Sequence, residues 1–380
     1  MSKGGKYLAK KPVPAKKKKK GVLGKILIAL LLILLLIVGA GVLLVNRWLN
    51  QLSRPEAPVV APTQAVLQTE ETQPLQTEET EPPTTSPEDT WPEVISDENI
   101  TNIMLVGQAS REGESHLISD TMILASINRE TKTLTLTSLM RDMRLVWPPY
   151  VDTLGKSHSG NNRINMAYNM GYHWTQNKQD SMDLLESIVQ HNFGIPVDRT
   201  IEVDFTFFMD TVDELGGVVV DISDVEYEYM LKNSNWMEAC GVHPGENRLC
   251  GYHALVYARM RKVGHGDYER TERQREVITS LVNSLKQKNI LEILKLFENE
   301  ILTKVTTDLT NKEITNYAWE FIPMLKDLKI QSQRIPFDGN EMSVTNTNPD
   351  GSIDYMIAPR DLKATARQLQ ESIGMTVPVE

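Results

Sequence analysis

The hydrophobic pattern changes several times along the chain. Residues 26–45 form an unbroken run of twenty apolar or small residues, which is long enough to cross a hydrocarbon core of about 30 Å. Residues 46–97 are rich in Pro, Glu, Thr and Gln, a composition that cannot bury a core and predicts an extended spacer. The pattern therefore predicts four parts: a basic cytoplasmic tail (1–25), a transmembrane signal anchor (26–45), a disordered linker (46–97) and a folded extracytoplasmic domain (98–380).

Short apolar segments alternate with helical periodicity in the folded part. Residues 102–107, 121–128, 133–139 and 218–222 read as strands, and the Thr-Leu-Thr-Leu-Thr run from Thr133 has the period of two that a strand requires. Helical patterns are predicted at residues 164–172, 181–191, 205–215, from Glu269 onward, 290–302 and 360–373. This alternation predicts an α/β fold in which helices cover a sheet.

The apolar run is flanked asymmetrically by charge. Ten lysines and no acidic residue precede it, so the positive-inside rule places the N-terminus in the cytoplasm and residues 46–380 outside the cell membrane. No Ala-x-Ala pattern follows the run, and Arg47 and Trp48 resemble an interfacial anchor, which indicates an uncleaved, single-pass signal anchor. The lysine run at 16–20 is expected to contact anionic lipid headgroups; contact with RNA is the alternative.

Charge and cysteine content restrict the chemistry of the outer domain. The formal net charge is −10, and the ten N-terminal lysines leave −20 for the remainder, which argues against nucleic acid as a partner. The two cysteines, Cys240 and Cys250, are expected to form a disulfide outside the membrane; two free thiols are the alternative. With no CxxC and no clustered histidines, the sequence indicates no transition-metal site.

An arginine-rich segment is the strongest candidate for a binding site. On the helix that begins near Glu269, Arg270, Arg273 and Gln274 share one face with the apolar positions that follow. They must therefore point inward, where unpaired guanidinium groups would cost several kcal/mol. Arg259 and Arg261 lie just upstream. The pattern predicts a bound anion, with a phosphate favoured at a helix N-terminus; an ion-pair network with Asp267, Glu269 and Glu272 is the alternative interpretation.

Further charged residues stand at predicted strand ends and helix starts. Asp120 precedes the second strand, Arg141 and Asp142 follow the third, and Arg163 and Asn165 open a helix. In an open α/β sheet such positions converge on a ligand crevice, and arginine is suited to bidentate contact with phosphate. The sequence thus predicts one phosphate site assembled from several segments.

In their order and spacing these segments resemble the LytR-CpsA-Psr family. The motifs are Ser119-Asp-Thr-Met122, Ser138-Leu-Met-Arg-Asp142, Arg163-Ile-Asn-Met-Ala-Tyr168, Leu215-Gly-Gly-Val218, Ala254-Leu-Val-Tyr-Ala-Arg-Met-Arg261 and the segment 267–274. The resemblance implies an α-β-α sandwich with a central mixed sheet and a hydrophobic lipid pocket. It also implies a phosphotransferase that moves a glycopolymer from a polyprenyl-pyrophosphate carrier to peptidoglycan, with Mg²⁺ as cofactor.

The resemblance also implies roles for individual residues. Arg141, Arg259, Arg261, Arg270 and Gln274 are expected to hold the pyrophosphate, Arg163 and Arg273 to support them, and Asp120 to bind Mg²⁺. The acceptor hydroxyl needs a base, for which Asp120 and Asp142 are hypotheses. Asp142 as a structural partner of Arg141 is the alternative.

Two positions depart from the family pattern. Members carry an aspartate where this chain has Ala109 and an arginine where it has Ile118. Glu112 or Glu114 could replace the missing carboxylate if the loop folds back. The departures leave open a catalytically weakened relative that binds polyprenyl-phosphate lipids as a scaffold or regulator; a transcriptional attenuator is less compatible with an acidic outer domain.

Two more segments carry expectations. Residues 155–160, after Pro148 and Pro149, are predicted to form a flexible cover over the site or a solvated loop without function. The aromatic stripe of Phe205, Phe207, Phe208 and Met209 is interpreted as core in preference to lipid pocket.

Overall fold

The computed structural model describes residues 92–108, 119–234, 241–296, 306–347 and 353–377. The predicted membrane span and almost all of the predicted linker lie outside these ranges. Within the described ranges no helix has both the length and the apolar character needed to span a bilayer.

Twelve strands are described. They are β1 (Ile100–Gln108), β2 (Ser119–Asn128), β3 (Thr133–Leu139), β4 (Arg144–Val151), β5 (Ser157–Arg163), β6 (Arg199–Val203), β7 (Val218–Ile222), β8 (Gly245–Leu249), β9 (Thr306–Thr307), β10 (Lys329–Ile335), β11 (Glu341–Thr347) and β12 (Ile353–Pro359). Six of them form a central sheet in the order β10-β3-β2-β1-β6-β9. Its pairs β1–β6 and β3–β10 are parallel, and β1–β2, β2–β3 and β6–β9 are antiparallel. The predicted mixed sheet is confirmed.

Helices cover both faces of this sheet. They are α1 (Asn165–Thr175), α2 (Lys178–Phe193), α3 (Phe205–Glu214), α4 (Asp224–Asn233), α5 (Gly251–Arg259), α6 (Asp267–Gln287), α7 (Ile290–Leu296), α8 (Asn311–Met324) and α9 (Leu362–Ser372). On one face Met104 and Val106 of β1 pack with Tyr168 of α1 and Leu185 of α2. On the other, a cluster around Ile123 of β2 packs against α6. Because helices cover both faces of the sheet, β1–β3 are buried at nearly every position, polar residues included.

The remaining strands form three two-stranded antiparallel sheets outside the central sheet. β7 pairs with β8 and forms a second core with α4, α5 and α6. β4 pairs with β5, and β11 pairs with β12. The β11–β12 hairpin is joined to the start of β4 by a parallel bridge between Met143 and Ile357. The β4–β5 and β11–β12 hairpins lie at the end of the sheet where β3 finishes, since Met143 follows Leu139 by four residues.

The segment at residues 155–160 was predicted to be a flexible cover over the site or a solvated loop. It lies in the turn and second strand of the β4–β5 hairpin, and its neighbours are fixed by contacts to the α1–α2 junction. Asp180 is fully buried there and accepts hydrogen bonds from the Tyr150 hydroxyl (2.6 Å), from the Thr153 backbone and hydroxyl (2.9 and 2.6 Å), and from the Thr175 hydroxyl (2.6 Å). The His158 ring stacks on Trp174 with centroids 3.5 Å apart. Residues 155–160 therefore belong to a β-hairpin and have mostly exposed side chains, and their role as a cover over the site or as a solvated segment without function stays a prediction.

Candidate functional site

A cluster of arginines surrounds one carboxylate at the end of the sheet. Asp267 accepts from the Arg141 Nε at 2.8 Å, the Arg261 Nε at 3.0 Å and an Arg270 Nη at 3.1 Å. Arg141 also donates to the Asp120 carboxylate at 2.7 Å. Guanidinium groups from three segments of the chain therefore meet within one ion-pair network.

Local structure explains why these side chains converge. Asp120 stands at a register shift between β1 and β2, and Arg141 follows β3 directly. Arg261 follows α5, and Asp267 and Arg270 form the first turn of α6. The connection between α5 and α6 turns at Gly264 and Gly266, with φ of 70° and 77°, a backbone conformation that glycine adopts without strain.

Arg270 is buried and incompletely neutralised. Only 3% of its side chain is exposed, and its Nε has no hydrogen-bond partner among the described residues. Burial lowers the pKa of Arg270, and Asp267 opposes that shift only in part. A buried cation with a free donor is stabilised by an additional anion. This arrangement supports the predicted anion site.

Arg141, in contrast, is well compensated. Burial lowers its pKa, but Asp142, Asp267 and Asp120 together hold the pKa of Arg141 above its ordinary value. Asp142 lies 3.4 Å from the Arg141 Nε and 3.7 Å from the Arg163 Nε, so it bridges the two arginines loosely. The structural role considered for Asp142 agrees with these contacts. The Asp142 side chain nevertheless remains 36% exposed.

An apolar cavity of about 260 Å³ lies beside the cluster, between the sheet and α3, α5 and α6. Its walls include Leu105, Ile123, Phe207, Phe208 and Leu281. A few polar side chains reach it as well: Thr121, Asp204, Thr211, Arg259 and Gln274. An apolar cavity with a few polar groups at one side is suited to a ligand that has a hydrocarbon part and a polar part.

The cavity and the arginine cluster are contiguous along three elements. Asp120 of the cluster precedes Thr121 of the cavity wall, Arg261 lies two residues after Arg259, and Arg270 lies one helical turn before Gln274. A molecule with its hydrocarbon in the cavity can therefore place an attached phosphate among the arginines.

The residues predicted to hold the pyrophosphate differ in whether they face the cavity or contact other parts of the fold. Arg259 lies on the cavity with its guanidinium carbon 4.4 Å from the centre of the Phe205 ring. Gln274 also lines the cavity, and its amide donates to the Ala258 carbonyl at 3.4 Å. Arg273 is directed elsewhere: it donates to Glu226 at 2.9 Å and to the Met260 carbonyl at 2.8 Å. Arg163 contacts Asp142, Asp354 and the Tyr355 carbonyl.

Metal-binding groups are sparse in this region. No group of three or more His, Cys, Asp or Glu side chains within the described ranges is arranged to hold a metal. Asp120 uses one carboxylate oxygen for Arg141, which leaves the other for a cation. Mg²⁺ is bound in proteins by one or two carboxylates together with substrate oxygens, so Asp120 fits it as a single protein ligand.

The departures from the family pattern fall in a part of the chain that is not described. Ala109, Glu112, Glu114 and Ile118 lie outside the described residues, so replacement of the missing carboxylate stays a prediction. The preceding residue, Gln108, is fully buried, and both polar atoms of its side chain have no partner among the described residues. Buried amides are almost always paired, so the Gln108 side chain at this end of β1 is a polar group near the site whose partner is not among the described residues.

The disulfide is also untested, because Cys240 lies outside the described residues. The Sγ of Cys250 lies 3.2 Å from the His253 Nδ1. Cys250 stands at the N-cap of α5.

Two features were missed by sequence reasoning. Phe205, Phe207 and Phe208 line the cavity, so the preference for core over a pocket lining is corrected for these three residues. Arg275 is buried against the Ser138 and Ser332 hydroxyls at 2.8 and 2.6 Å, and burial lowers its pKa to about 10. Its neighbours in the sequence, Gln274 and Glu276, are polar, so no local pattern indicated its burial.

The fold and the site together define an α/β protein with an apolar cavity that opens beside an arginine cluster. The LytR_cpsA_psr family model matches residues 63–371, and the chain belongs to that family.

Individual relatives agree with this assignment. The chain is 32% identical over 184 residues to the Bacillus subtilis polyisoprenyl-teichoic acid–peptidoglycan teichoic acid transferase TagV, with 47% of this chain and 42% of the relative covered. It is 27% identical over 286 residues to TagU of the same organism, with 73% and 80% covered. The crystal structure of B. subtilis TagV superposes with a TM-score of 0.51 at 25% identity, over 74% of this chain and 100% of the other. The chain thus matches less than half the length of the first of these relatives.

Proposed function

We propose that this protein is a cell-wall phosphotransferase that moves a glycopolymer from a polyprenyl-pyrophosphate carrier onto peptidoglycan. The observation that carries the proposal is the contiguity of an apolar cavity with a buried arginine cluster, since one lipid pyrophosphate would fill both. The names of the relatives, teichoic acid–peptidoglycan transferases, support the polymer and the acceptor. The apolar run at residues 26–45 supports attachment to the cell membrane with the domain outside.

The reaction is a displacement at phosphorus. The acceptor hydroxyl oxygen forms a bond to the phosphorus that carries the glycan, the bond from that phosphorus to polyprenyl phosphate breaks, and the hydroxyl proton is lost. Charge builds up on non-bridging and leaving oxygens, so cationic groups fixed in advance supply most of the acceleration. Arg141, Arg261 and Arg270 are the groups in position, with Arg259 at the cavity.

The two remaining roles, metal binding and proton removal, are assigned to carboxylates. Asp120 is the residue that would hold Mg²⁺, which supplies further charge neutralisation at the phosphate oxygens when bound. Asp142 is the carboxylate with the looser arginine contacts, at 3.4 and 3.7 Å, and we assign it as the base for the acceptor hydroxyl. Arg273 is assigned a structural role, because both its contacts are internal to the fold.

The test is transfer of a radiolabelled polyprenyl-pyrophosphate glycan to peptidoglycan by the full-length protein in detergent, with and without Mg²⁺. Transfer that requires Mg²⁺ and disappears in Arg270→Ala is expected. Binding of the lipid donor without any transfer would refute the enzymatic function.

A second candidate function is a lipid-binding relative without turnover. It is favoured by Ala109 and Ile118, which replace a carboxylate and an arginine of the family pattern. Under this alternative the wild-type protein binds donor only, and Ala109→Asp combined with Ile118→Arg restores transfer.

A further inference from the structure

The β11–β12 hairpin carries an exposed face of a particular composition. Tyr355 and Ile353 of β12 are 71% and 52% exposed. Thr345 is the direct partner of Tyr355 on β11, and Ser343 is the partner of Ile357; Thr345 and Ser343 are both exposed. Directly paired residues lie on the same side of a hairpin. We call the side chains of Ser343, Thr345, Ile353 and Tyr355 the outer face.

The strand that carries Ile353 and Tyr355 is attached to the arginine cluster through its backbone and through Asp354. The Ile357 backbone N–H donates to the Asp142 carbonyl at 3.1 Å. Arg163 donates to the Tyr355 carbonyl at 3.2 Å and to Asp354 at 3.3 Å, and its Nε lies 3.7 Å from Asp142. Tyr355 is therefore two residues along the strand from the backbone that contacts Asp142, a distance of about 7 Å.

The cavity lies on different elements. Its lining residues come from β1, β2, α3, α5, α6 and the end of β6, and none comes from β4, β5, β11 or β12. In phosphoryl transfer the attacking and leaving oxygens lie roughly in line on opposite sides of the phosphorus. If the leaving polyprenyl phosphate extends into the cavity, the acceptor hydroxyl must approach from another side, and Asp142 and the hairpin border the site there.

The composition of the outer face suits a carbohydrate. A tyrosine ring offers an apolar surface with a polar edge, and sugar rings present C–H faces to such surfaces while their hydroxyls bond to neighbouring polar groups. Ser343 and Thr345 supply hydroxyls beside the ring. The only charged residues in the two strands are Glu341 and Asp354, which disfavours contact with an anionic lipid surface.

We propose that the outer face is a binding site for the sugar rings of the acceptor glycan strand, with Tyr355 as its central contact. The inference rests on the proposed transferase function. It adds where the acceptor binds and which side chains hold it, and it explains why a large aromatic residue is exposed to solvent next to the site.

The test compares Tyr355→Ala and Tyr355→Trp with Trp319→Ala in the full-length protein in detergent. Trp319 of α8 is 72% exposed, so it is a matched control for loss of an exposed aromatic ring. The probe is a soluble, uncrosslinked oligosaccharide of peptidoglycan, titrated without donor and followed by NMR or calorimetry. We expect Tyr355→Ala to weaken oligosaccharide binding about tenfold or more, and Tyr355→Trp and Trp319→Ala to bind like wild type. In transfer assays Tyr355→Ala should raise the KM for the acceptor and leave the KM for the donor unchanged.

The outcomes separate this inference from the proposed function. Equal binding by Tyr355→Ala and Trp319→Ala would overturn the acceptor site even if transfer occurs. Loss of binding to vesicles of phosphatidylglycerol in Tyr355→Ala, with oligosaccharide binding intact, would also overturn it and identify a membrane contact. Oligosaccharide binding that depends on Tyr355, in a protein that transfers nothing, would support the site and refute only the transferase.

Discussion

Arg270 and Arg273 offer a matched test of which arginines serve the ligand and which serve the fold. Both lie in α6, and their side chains are 3% and 4% exposed. Arg270 shares Asp267 with Arg141 and Arg261, so Asp267 keeps two cationic partners when Arg270 is removed. Arg273 pairs with Glu226, which caps α4. Replacement by methionine keeps the helix and removes the charge in each case.

The two substitutions should have opposite effects. In Arg273→Met, Glu226 loses its arginine in a mostly buried setting, and we expect a loss of about 3–5 kcal/mol in the free energy of unfolding. In Arg270→Met a buried, incompletely neutralised charge disappears, and we expect a change of no more than about 1 kcal/mol or a gain. Loss of one or two charge-assisted bonds to phosphate should cost about 2–4 kcal/mol of donor binding, roughly 30- to 700-fold in Kd.

Stability is measured by urea denaturation, and binding is measured by calorimetry with a short-chain polyprenyl pyrophosphate. Arg273→Met, studied where it is folded, serves as the control and should keep wild-type affinity. If Arg270→Met instead loses about 3 kcal/mol or more of stability and binds as wild type does, the arginine cluster is an internal ion-pair network and the anion-site interpretation fails.

Three further predictions test other parts of the structure. Leu281→Trp, which fills the cavity, should weaken binding of polyprenyl pyrophosphate but not of inorganic pyrophosphate in calorimetry; Leu285→Trp, one turn further along α6 and not part of the lining, is the control. Burial and Asp308 raise the pKa of Glu186 from 4.5 to about 8, so the folded protein retains a proton that the unfolded chain loses. Stability should therefore fall as the pH rises through this interval, and Glu186→Gln should flatten that dependence in denaturation curves recorded from pH 5 to 9. Asp180→Ala removes the acceptor of four hydrogen bonds and should cost at least about 3 kcal/mol, with faster hydrogen exchange in the β4–β5 hairpin; unchanged exchange there would contradict the anchoring role.

The sequence predicts the central elements well because their patterns are local. The Thr-Leu alternation of residues 133–139 became β3 within the same bounds, and α6 begins two residues before the predicted Glu269. The hairpin strand β5 (Ser157–Arg163) has no such pattern. It is held by contacts with α1 and with the α1–α2 junction, and β10 reaches the sheet by pairing with β3, nearly 200 residues earlier in the chain. The local pattern of a segment can indicate a strand, as it does for β3, but it does not indicate which distant strand it will pair with.

In the site, too, local patterns predicted some features, and contacts between distant segments determined the others. Segments rich in arginine identified the region, and helical periodicity placed Arg270 and Arg273 on one face of α6. Periodicity could not separate them, because the separation depends on which carboxylate the fold brings near: Asp267 for Arg270 and Glu226 for Arg273. The same limit applied to Phe205, Phe207 and Phe208, since an aromatic stripe has the same pattern whether it fills a core or lines a cavity.

The ion-pair network and the anion site are alternatives in the sequence analysis, but the geometry is compatible with both at once. A single carboxylate, Asp267, contacts three guanidinium groups and cannot neutralise all three. It can fix their positions, and fixed donors stabilise developing charge without reorganising when the ligand arrives. Arg270 is the most deeply buried of the three, burial lowers its pKa despite Asp267, and it lies one helical turn before Gln274 of the cavity wall. The carboxylate therefore positions the arginines, and under the proposed function the charge that it leaves uncompensated would attract a phosphate at the cavity mouth.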